Sequence, residues 1–293
     1  MLKRSTLAAA VLSLAVLTGC AESAGQAAPS APADDKNQQR QKLEAVKADC
    51  MKRLGFKYIP FVMPPFGALE GAKEVGAGDY EAMKTMRTKY GFGVFAMMVY
   101  PKELGSPAVM PDKPIHNPNM EITSKLSKSQ LAAYREAADT CDIEAIKKIT
   151  GKTVRSVMDQ YEQADAKATQ LAARELDGDA RLVSAAAAMA DCLKAKGERV
   201  TATNPVAMAD RGSAVFTAQK KTIALNDDIP DTGLREGQFY EPDLTPEEAR
   251  PYLDKEIKAA LVDLECGREF YASFMPRQTE IRRKVSEEFG TGI

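Results

Sequence analysis

The chain offers few side chains for catalysis. It contains a single histidine and no tryptophan among its 293 residues. His116 lies in the proline-containing segment 113–118, and imidazole titrates near neutral pH, which makes it a candidate general base. No Gly-x-Ser-x-Gly motif or recognisable cysteine-nucleophile signature accompanies it, so we interpret His116 as a surface residue. The sequence therefore predicts no catalytic residue and a protein that is not an enzyme.

A second candidate for chemistry is an acidic segment broken by proline and glycine. Its carboxylates are Asp227, Asp228, Asp231, Glu236, Glu241 and Asp243. Carboxylates can bind calcium, and two opposed carboxylates can hydrolyse glycosides. The spacing is not that of an EF-hand, and acidic loops are usually just solvated. We therefore predict no metal and no cofactor, and we keep a carboxylate-dependent cell-wall hydrolase as the least favoured function.

Composition and charge describe an ordinary globular protein. Apolar residues make up 44% of the chain and charged residues 28%. Lys and Arg total 40 against 41 Asp and Glu, which gives a net charge of −1. A nucleic-acid binder would carry a basic excess, so we expect no nucleic-acid partner.

The first twenty residues form a targeting signal. Lys3 and Arg4 precede an apolar run over residues 6–16 that is too short to span a bilayer. The run leads into the motif LTGC, which ends at Cys20. This motif resembles a bacterial lipobox, in which a leucine and two small residues precede a cysteine. The resemblance implies that residues 1–19 are a signal peptide. It also implies that Cys20 carries fatty acyl chains, such as palmitate, and anchors the protein to the outer, extracytoplasmic face of the cell membrane.

The residues after the lipobox cysteine predict a flexible tether. Up to about Gln38 the sequence is rich in Ala, Ser, Pro, Gly, Gln and Asp and has no large apolar side chain, so it cannot offset its ordering entropy by burial. We therefore divide the mature chain into a tether over residues 20–38, a first helical repeat over 39–151 and a second over 152–293.

The other four cysteines predict two disulfides. An even number of cysteines in an exported chain favours a disulfide framework, and three pairings are possible. The sequence ADCMK around Cys50 matches ADCLK around Cys192, which suggests an internal duplication. Capping-box patterns precede both Cys141 and Cys266 in later helices. This order favours Cys50–Cys141 and Cys192–Cys266, one bond in each half. The alternative joins the equivalent cysteines across the halves.

Helical periodicity accounts for most of the sequence. Apolar side chains recur every three to four positions, which predicts a mainly α protein built from duplicated helical halves. Gly55 should end the first helix. The segment 152–196 is either one bent helix or two, and we favour a kink near Gly178. We expect the last helix to run from Pro246 to about Phe289, bent or interrupted at Pro276.

Two aromatic segments predict short β structure. Residues 56–63 and 90–100 combine aromatic and β-branched side chains with Gly or Pro, which is typical of short strands or apolar loops that could pair in a small sheet. Their counterparts in the second half, 198–203 and 213–216, are shorter. The asymmetry makes the first half the candidate functional face. Its candidate binding residues are Tyr58, Phe61, Tyr90 and Phe92. The alternative is that these rings simply belong to the core.

The overall layout resembles a group of uncharacterised actinobacterial surface lipoproteins. These share an Asp-Cys-Met-x-x-x-Gly-Phe element, here Asp49 to Phe56, and a partner cysteine in a later helix. The second copy departs from the element, with Glu198 in place of the aromatic residue. The resemblance implies no activity. We expect a membrane-anchored, non-enzymatic interaction or accessory protein, with an envelope protein or transporter as partner. The alternative is a lipoprotein that binds an unknown small ligand in a cleft between the halves.

Overall fold

The computed structural model describes residues 32–64, 69–106, 109, 115–226 and 239–292, with side chains from residue 37 onward. These residues contain eleven helices and no strand, which confirms the mainly α prediction. The helices are α1 Pro32–Arg53, α2 Ala72–Gly76, α3 Tyr80–Tyr90, α4 Ala96–Val99, α5 Pro118–Thr123, α6 Lys128–Thr150, α7 Val157–Glu175, α8 Ala180–Ala195, α9 Pro205–Ala224, α10 Pro246–Cys266 and α11 Arg268–Phe289. None of the described helices is long and apolar enough to cross a membrane.

The helix ends follow local sequence signals. α6 begins at a capping box formed by Ser127 and Gln130, and α10 begins at another formed by Thr245 and Glu248. In each box a side chain and a backbone amide satisfy one another's hydrogen bonds. Gly55 follows α1 with a φ of 83°, a left-handed conformation that favours glycine. α1 itself begins at Pro32, before the expected end of the tether near residue 38.

α10 and α11 occupy the centre of the fold. α10 packs against α3, α4, α8 and α9, and α11 packs against α7 and α8. α1 packs chiefly against α6. The buried cluster around Phe95 and Val99 of the first half therefore includes Ala249 and Leu253 of α10. The packing does not support two separately folded, duplicated halves, because α3 and α4 bury their apolar faces on a second-half helix rather than on α1 and α6.

The predicted disulfide pairing is confirmed. Cys50 is bonded to Cys141, which joins α1 to α6, and Cys192 is bonded to Cys266, which joins α8 to the end of α10. The Cα atoms are 5.5 Å apart in both bonds, within the normal range for disulfides. Cys50 and Cys141 are almost completely buried, at 2% and 0% exposure.

Two helix interruptions differ from the predictions. The segment 152–196 breaks fully between α7 and α8, because Asp179 accepts hydrogen bonds from the amides of Arg181 and Leu182 and starts a new helix. The final helix is interrupted at Gly267, while Pro276 lies inside α11. A Cβ at position 267 would lie 2.6 Å from the Tyr271 ring, so there is no room for a side chain at this position.

The first aromatic segment forms no strand, contrary to the prediction. Ile59 exchanges two hydrogen bonds with the side chain of Asn119, donating to Oδ1 at 2.9 Å and accepting from Nδ2 at 2.8 Å. The amide of Phe61 donates to the Glu44 carboxylate at 3.0 Å. Side chains of α1 and α5 thus satisfy the backbone groups that a neighbouring strand would have bonded.

The second aromatic segment and its counterparts also lack strands. Residues 90–100 form turns and the short helix α4, and residues 213–216 belong to α9. Residues 198–203 are irregular. The described chain therefore contains no small sheet of the kind expected.

Candidate functional site

A buried carboxylate organises the second aromatic segment. Glu256 of α10 is completely buried, and its Oε1 accepts hydrogen bonds from the amides of Phe92 and Val94, both at 2.8 Å. Its Oε2 accepts one from Phe95 at 2.9 Å. Burial raises the pKa of Glu256, and the amide hydrogen bonds oppose that rise. We call this arrangement the Glu256 cradle. A Cβ at Gly91 would lie 2.8 Å from Glu256 Cγ, so the cradle requires glycine there.

The cradle places the two candidate binding rings of this segment differently. Tyr90 is 8% exposed, and its hydroxyl donates to Glu103 at 2.5 Å, so it belongs to the core. Phe92 is only partly buried and lies directly on α9, where a Cβ at Gly212 would overlap its ring. Phe92, unlike Tyr90, lines the cleft described below.

The other two candidate rings lie elsewhere. The Tyr58 hydroxyl donates to Glu44 at 2.7 Å, and the Lys47 ammonium lies 5.1 Å from the centre of the Tyr58 ring. Burial and the nearby Glu44 carboxylate raise the pKa of Tyr58. Phe61 is held on the same helix through its amide. The structure thus separates Tyr58 and Phe61, beside α1, from Tyr90 and Phe92, beside α10, and the four do not form one surface.

The most promising site is a cleft of about 260 Å³ that we call the Arg87 cleft. One wall comes from α2, α3 and Phe92, and the other from α9 and α11. Residues from before and after position 151 therefore face each other across it. Its apolar lining includes Val75, Met83, Met86, Phe92 and Met275. The volume lies just below the range typical of drug-sized ligands, which suits a small molecule.

Arg87 forms a paired charge in the cleft lining. Its Nη1 donates to Asp263 Oδ1 at 2.7 Å and to the Ala260 carbonyl at 3.0 Å. The guanidinium also lies 4.5 Å from the centre of the Tyr271 ring and 5.3 Å from that of Phe92. Desolvation opposes the charge, but the pKa of Arg87 is nevertheless raised by Tyr271 and Asp263. These contacts fix the guanidinium in one position.

Asp263 is shared by two arginines. It is completely buried, and its Oδ1 also accepts a hydrogen bond from the Tyr271 hydroxyl at 2.6 Å. Its Oδ2 bonds Arg211 at 3.1 Å, and Arg211 lies 3.3 Å from Glu198 as well. Two carboxylates therefore compensate two guanidiniums beside the cleft, and a ligand need not neutralise them.

The cleft lining also carries two charges that are not paired. Asp210 of α9 and Arg282 of α11 both line it and are both exposed. Desolvation raises the pKa of Asp210, and the positive charge of Arg282 opposes that rise. The two groups therefore interact electrostatically. Within the described residues, neither forms an ion pair within 4.0 Å. These are the charged groups of the cleft left for a ligand.

A smaller cleft borders the first aromatic segment. It has a volume of about 160 Å³ and lies between α1, α6, α7 and the C-terminal residues, with Arg40 and Val62 among its lining residues. Met63 and Tyr161 beside it are each 40% exposed, and Val157 is 38% exposed. We call this the Arg40 cleft. Its lining is mixed, with the charged side chains of Arg40, Glu44 and Asp142 beside apolar ones.

The remaining candidates that the structure describes show no arrangement for catalysis. His116 is exposed and lies 3.4 Å from the Glu121 carboxylate. Asp227, Asp228, Asp231 and Glu236 lie outside the described residues, while Glu241 pairs with Lys220 at 2.9 Å. In the part of the chain that is described, no three His, Cys, Asp or Glu side chains come together as a metal site.

Sequence reasoning missed the two carboxylates that organise the site. Glu256 and Asp263 lie seven positions apart on α10, among the apolar residues Leu253, Ala260 and Leu264. Two charged residues on the buried stripe of a helix indicate acceptors for buried donors. That signal was present in the sequence, although it does not say which donors are involved. The chain matches no family model, no curated protein and no solved structure.

Proposed function

We propose that the protein is a lipid-anchored, extracytoplasmic and non-enzymatic binding protein that holds a small ligand in the Arg87 cleft. The observation that carries this proposal is the combination of an apolar cleft, a fixed guanidinium and two unpaired charges. A cleft with apolar walls and a few convergent polar groups is the usual form of a small-molecule site. This favours a ligand-binding lipoprotein over the hydrolase alternative, because Asp210 is the only carboxylate among the described residues that line the cleft.

Methionine methyl signals give a direct test of ligand binding. Met83, Met86 and Met275 line the Arg87 cleft, whereas Met120 and Met158 lie on the surface at 65% and 61% exposure. With methyl-labelled methionine, we expect some mixtures of small polar metabolites to shift the three cleft signals and to leave the two surface signals in place. If no mixture shifts the cleft signals, the proposal is wrong.

A second candidate, an interaction or accessory role in the envelope, is favoured by the Arg40 cleft. Its exposed apolar side chains lie beside α1, the first described helix after the proposed anchor. Apolar patches on a soluble surface often mark contacts with other proteins. In the same methyl spectra, an envelope extract that shifts Met63 while leaving the cleft methionines unchanged would favour this role.

The anchor itself is testable through Cys20. In cells that process lipoproteins, the wild-type protein should fractionate with membranes and incorporate labelled fatty acid. Cys20→Ala should abolish acylation and cleavage by the lipoprotein route, because no thiol remains to accept the lipid. Cys20→Ser serves as the isosteric control and should behave in the same way. An acylated, normally processed Cys20→Ala product would disprove the anchor.

A further inference from the structure

We infer that the ligand of the Arg87 cleft is a small zwitterion with an apolar, preferably aromatic, part. This inference rests on the proposed binding function and adds the chemical class. The inference depends on a contrast between two sets of charged residues around the cleft, one set already neutralised within the protein and the other not.

The paired charges do not select for net charge in the ligand. Arg87 and Arg211 face Asp263, and Arg211 also faces Glu198, so the formal charges of this group cancel. Arg87 donates through Nη1 to Asp263 and to the Ala260 carbonyl. The Arg87 guanidinium already lies 4.5 Å from the centre of the Tyr271 ring and 5.3 Å from that of Phe92, so it orders the aromatic part of the cleft wall.

The unpaired charges select for a ligand with both signs. A simple anion would gain from Arg282 but be repelled by Asp210, and a simple cation would meet the opposite problem. A zwitterion satisfies both, with its ammonium near Asp210 and its carboxylate near Arg282. Like-charge contacts are an effective means of rejecting the wrong ligand.

The apolar lining and the volume of the cleft determine the uncharged part of the ligand and its size. Met83, Met86, Phe92 and Met275 offer adaptable and aromatic surface, and methionine contacts aromatic rings favourably. A volume of about 260 Å³ limits the ligand to a small molecule. An amino acid with an aromatic side chain has the required charges, apolar part and size.

Three compounds with the same ring isolate the charges. Calorimetric titration of the full mature protein would compare L-phenylalanine, 3-phenylpropanoate, which lacks the ammonium, and 2-phenylethylammonium, which lacks the carboxylate. We expect phenylalanine to bind up to about fivefold more tightly than either, since a contact with an exposed charge contributes at most about 1 kcal/mol. Equal affinities for all three, or no binding of any, would overturn the inference.

Two variants assign the charges to residues. Asp210→Asn should remove the preference for phenylalanine over 3-phenylpropanoate, and Arg282→Gln should remove the preference over 2-phenylethylammonium. Both residues are exposed, so both variants should fold. Lys284→Gln is the matched control, because Lys284 lies on the same helix outside the cleft lining and should leave all three affinities unchanged. If both preferences survive the substitutions, the assignment is wrong.

The two proposals fail in different ways. If phenylalanine leaves Met83, Met86 and Met275 unshifted but a compound that is not a zwitterion shifts them, the zwitterion inference fails and the binding function stands. If no compound shifts them, the binding function itself fails.

Discussion

Replacing Glu256 with alanine should lower the free energy of unfolding by about 3 kcal/mol or more. The substitution leaves the amides of Phe92, Val94 and Phe95 without their acceptor, and each unsatisfied buried donor costs on the order of 1–3 kcal/mol. Against a typical net stability of roughly 5–15 kcal/mol, this is a large fraction. Urea unfolding followed by circular dichroism measures the change.

Two further variants make this prediction specific. Glu256→Gln keeps one acceptor oxygen but turns an NH2 group toward amide donors, so we expect a loss of about half that size. Glu265→Ala removes an exposed carboxylate of the same helix, 2.9 Å from Lys196, and should change stability by no more than about 1 kcal/mol. If Glu256→Ala were no more destabilising than Glu265→Ala, the cradle would not hold the segment.

Removing the Cys50–Cys141 bond should have an effect of similar or greater size. The bond spans 91 residues, for which the chain-entropy model gives roughly 4–5 kcal/mol. α1 has its main contacts with α6, so the loss should also raise hydrogen exchange along α1 above that of the other helices. The double variant Cys50→Ala with Cys141→Ala avoids placing hydroxyls at two buried positions.

The two disulfides should also differ in their accessibility to reductant. Cys192 and Cys266 are partly exposed, whereas Cys50 and Cys141 are buried. Stepwise reduction with alkylation of the freed thiols should therefore label Cys192 and Cys266 first. Labelling of Cys50 and Cys141 first would show that α1 separates readily from α6, contrary to the packing described.

The sequence predicted features whose cause is local. The capping boxes at Ser127 and Thr245 are set within four residues, and the repeated motif around Cys50 and Cys192 identified the correct pairing. Helical periodicity likewise indicated the mainly α class. The capping boxes and the periodicity depend on residues close together in the chain, whereas the pairing was inferred from the repeated motif and the shared order of elements.

Features that depend on distant partners were not predicted. The segment around Phe92 has strand-like composition, but its amides bond a carboxylate 164 positions away. Periodicity shows that a helix has a buried face without showing which helix covers it, so the placement of α3 and α4 on α10 was missed. The Arg87 cleft was missed for the same reason, because its two walls meet only in the folded chain. Of the four rings proposed for binding, only Phe92 lines it.

The central position of α10 and α11 has a consequence for biosynthesis. These helices leave the ribosome last among those described, yet they supply the surfaces on which α3, α4, α7 and α8 are buried. The α1–α6 pair, closed by its own disulfide, has most of its contacts available earlier. The apolar faces of α3, α4, α7 and α8 therefore stay uncovered until the C-terminal helices are also available, which in an exported chain exposes them to aggregation after translocation.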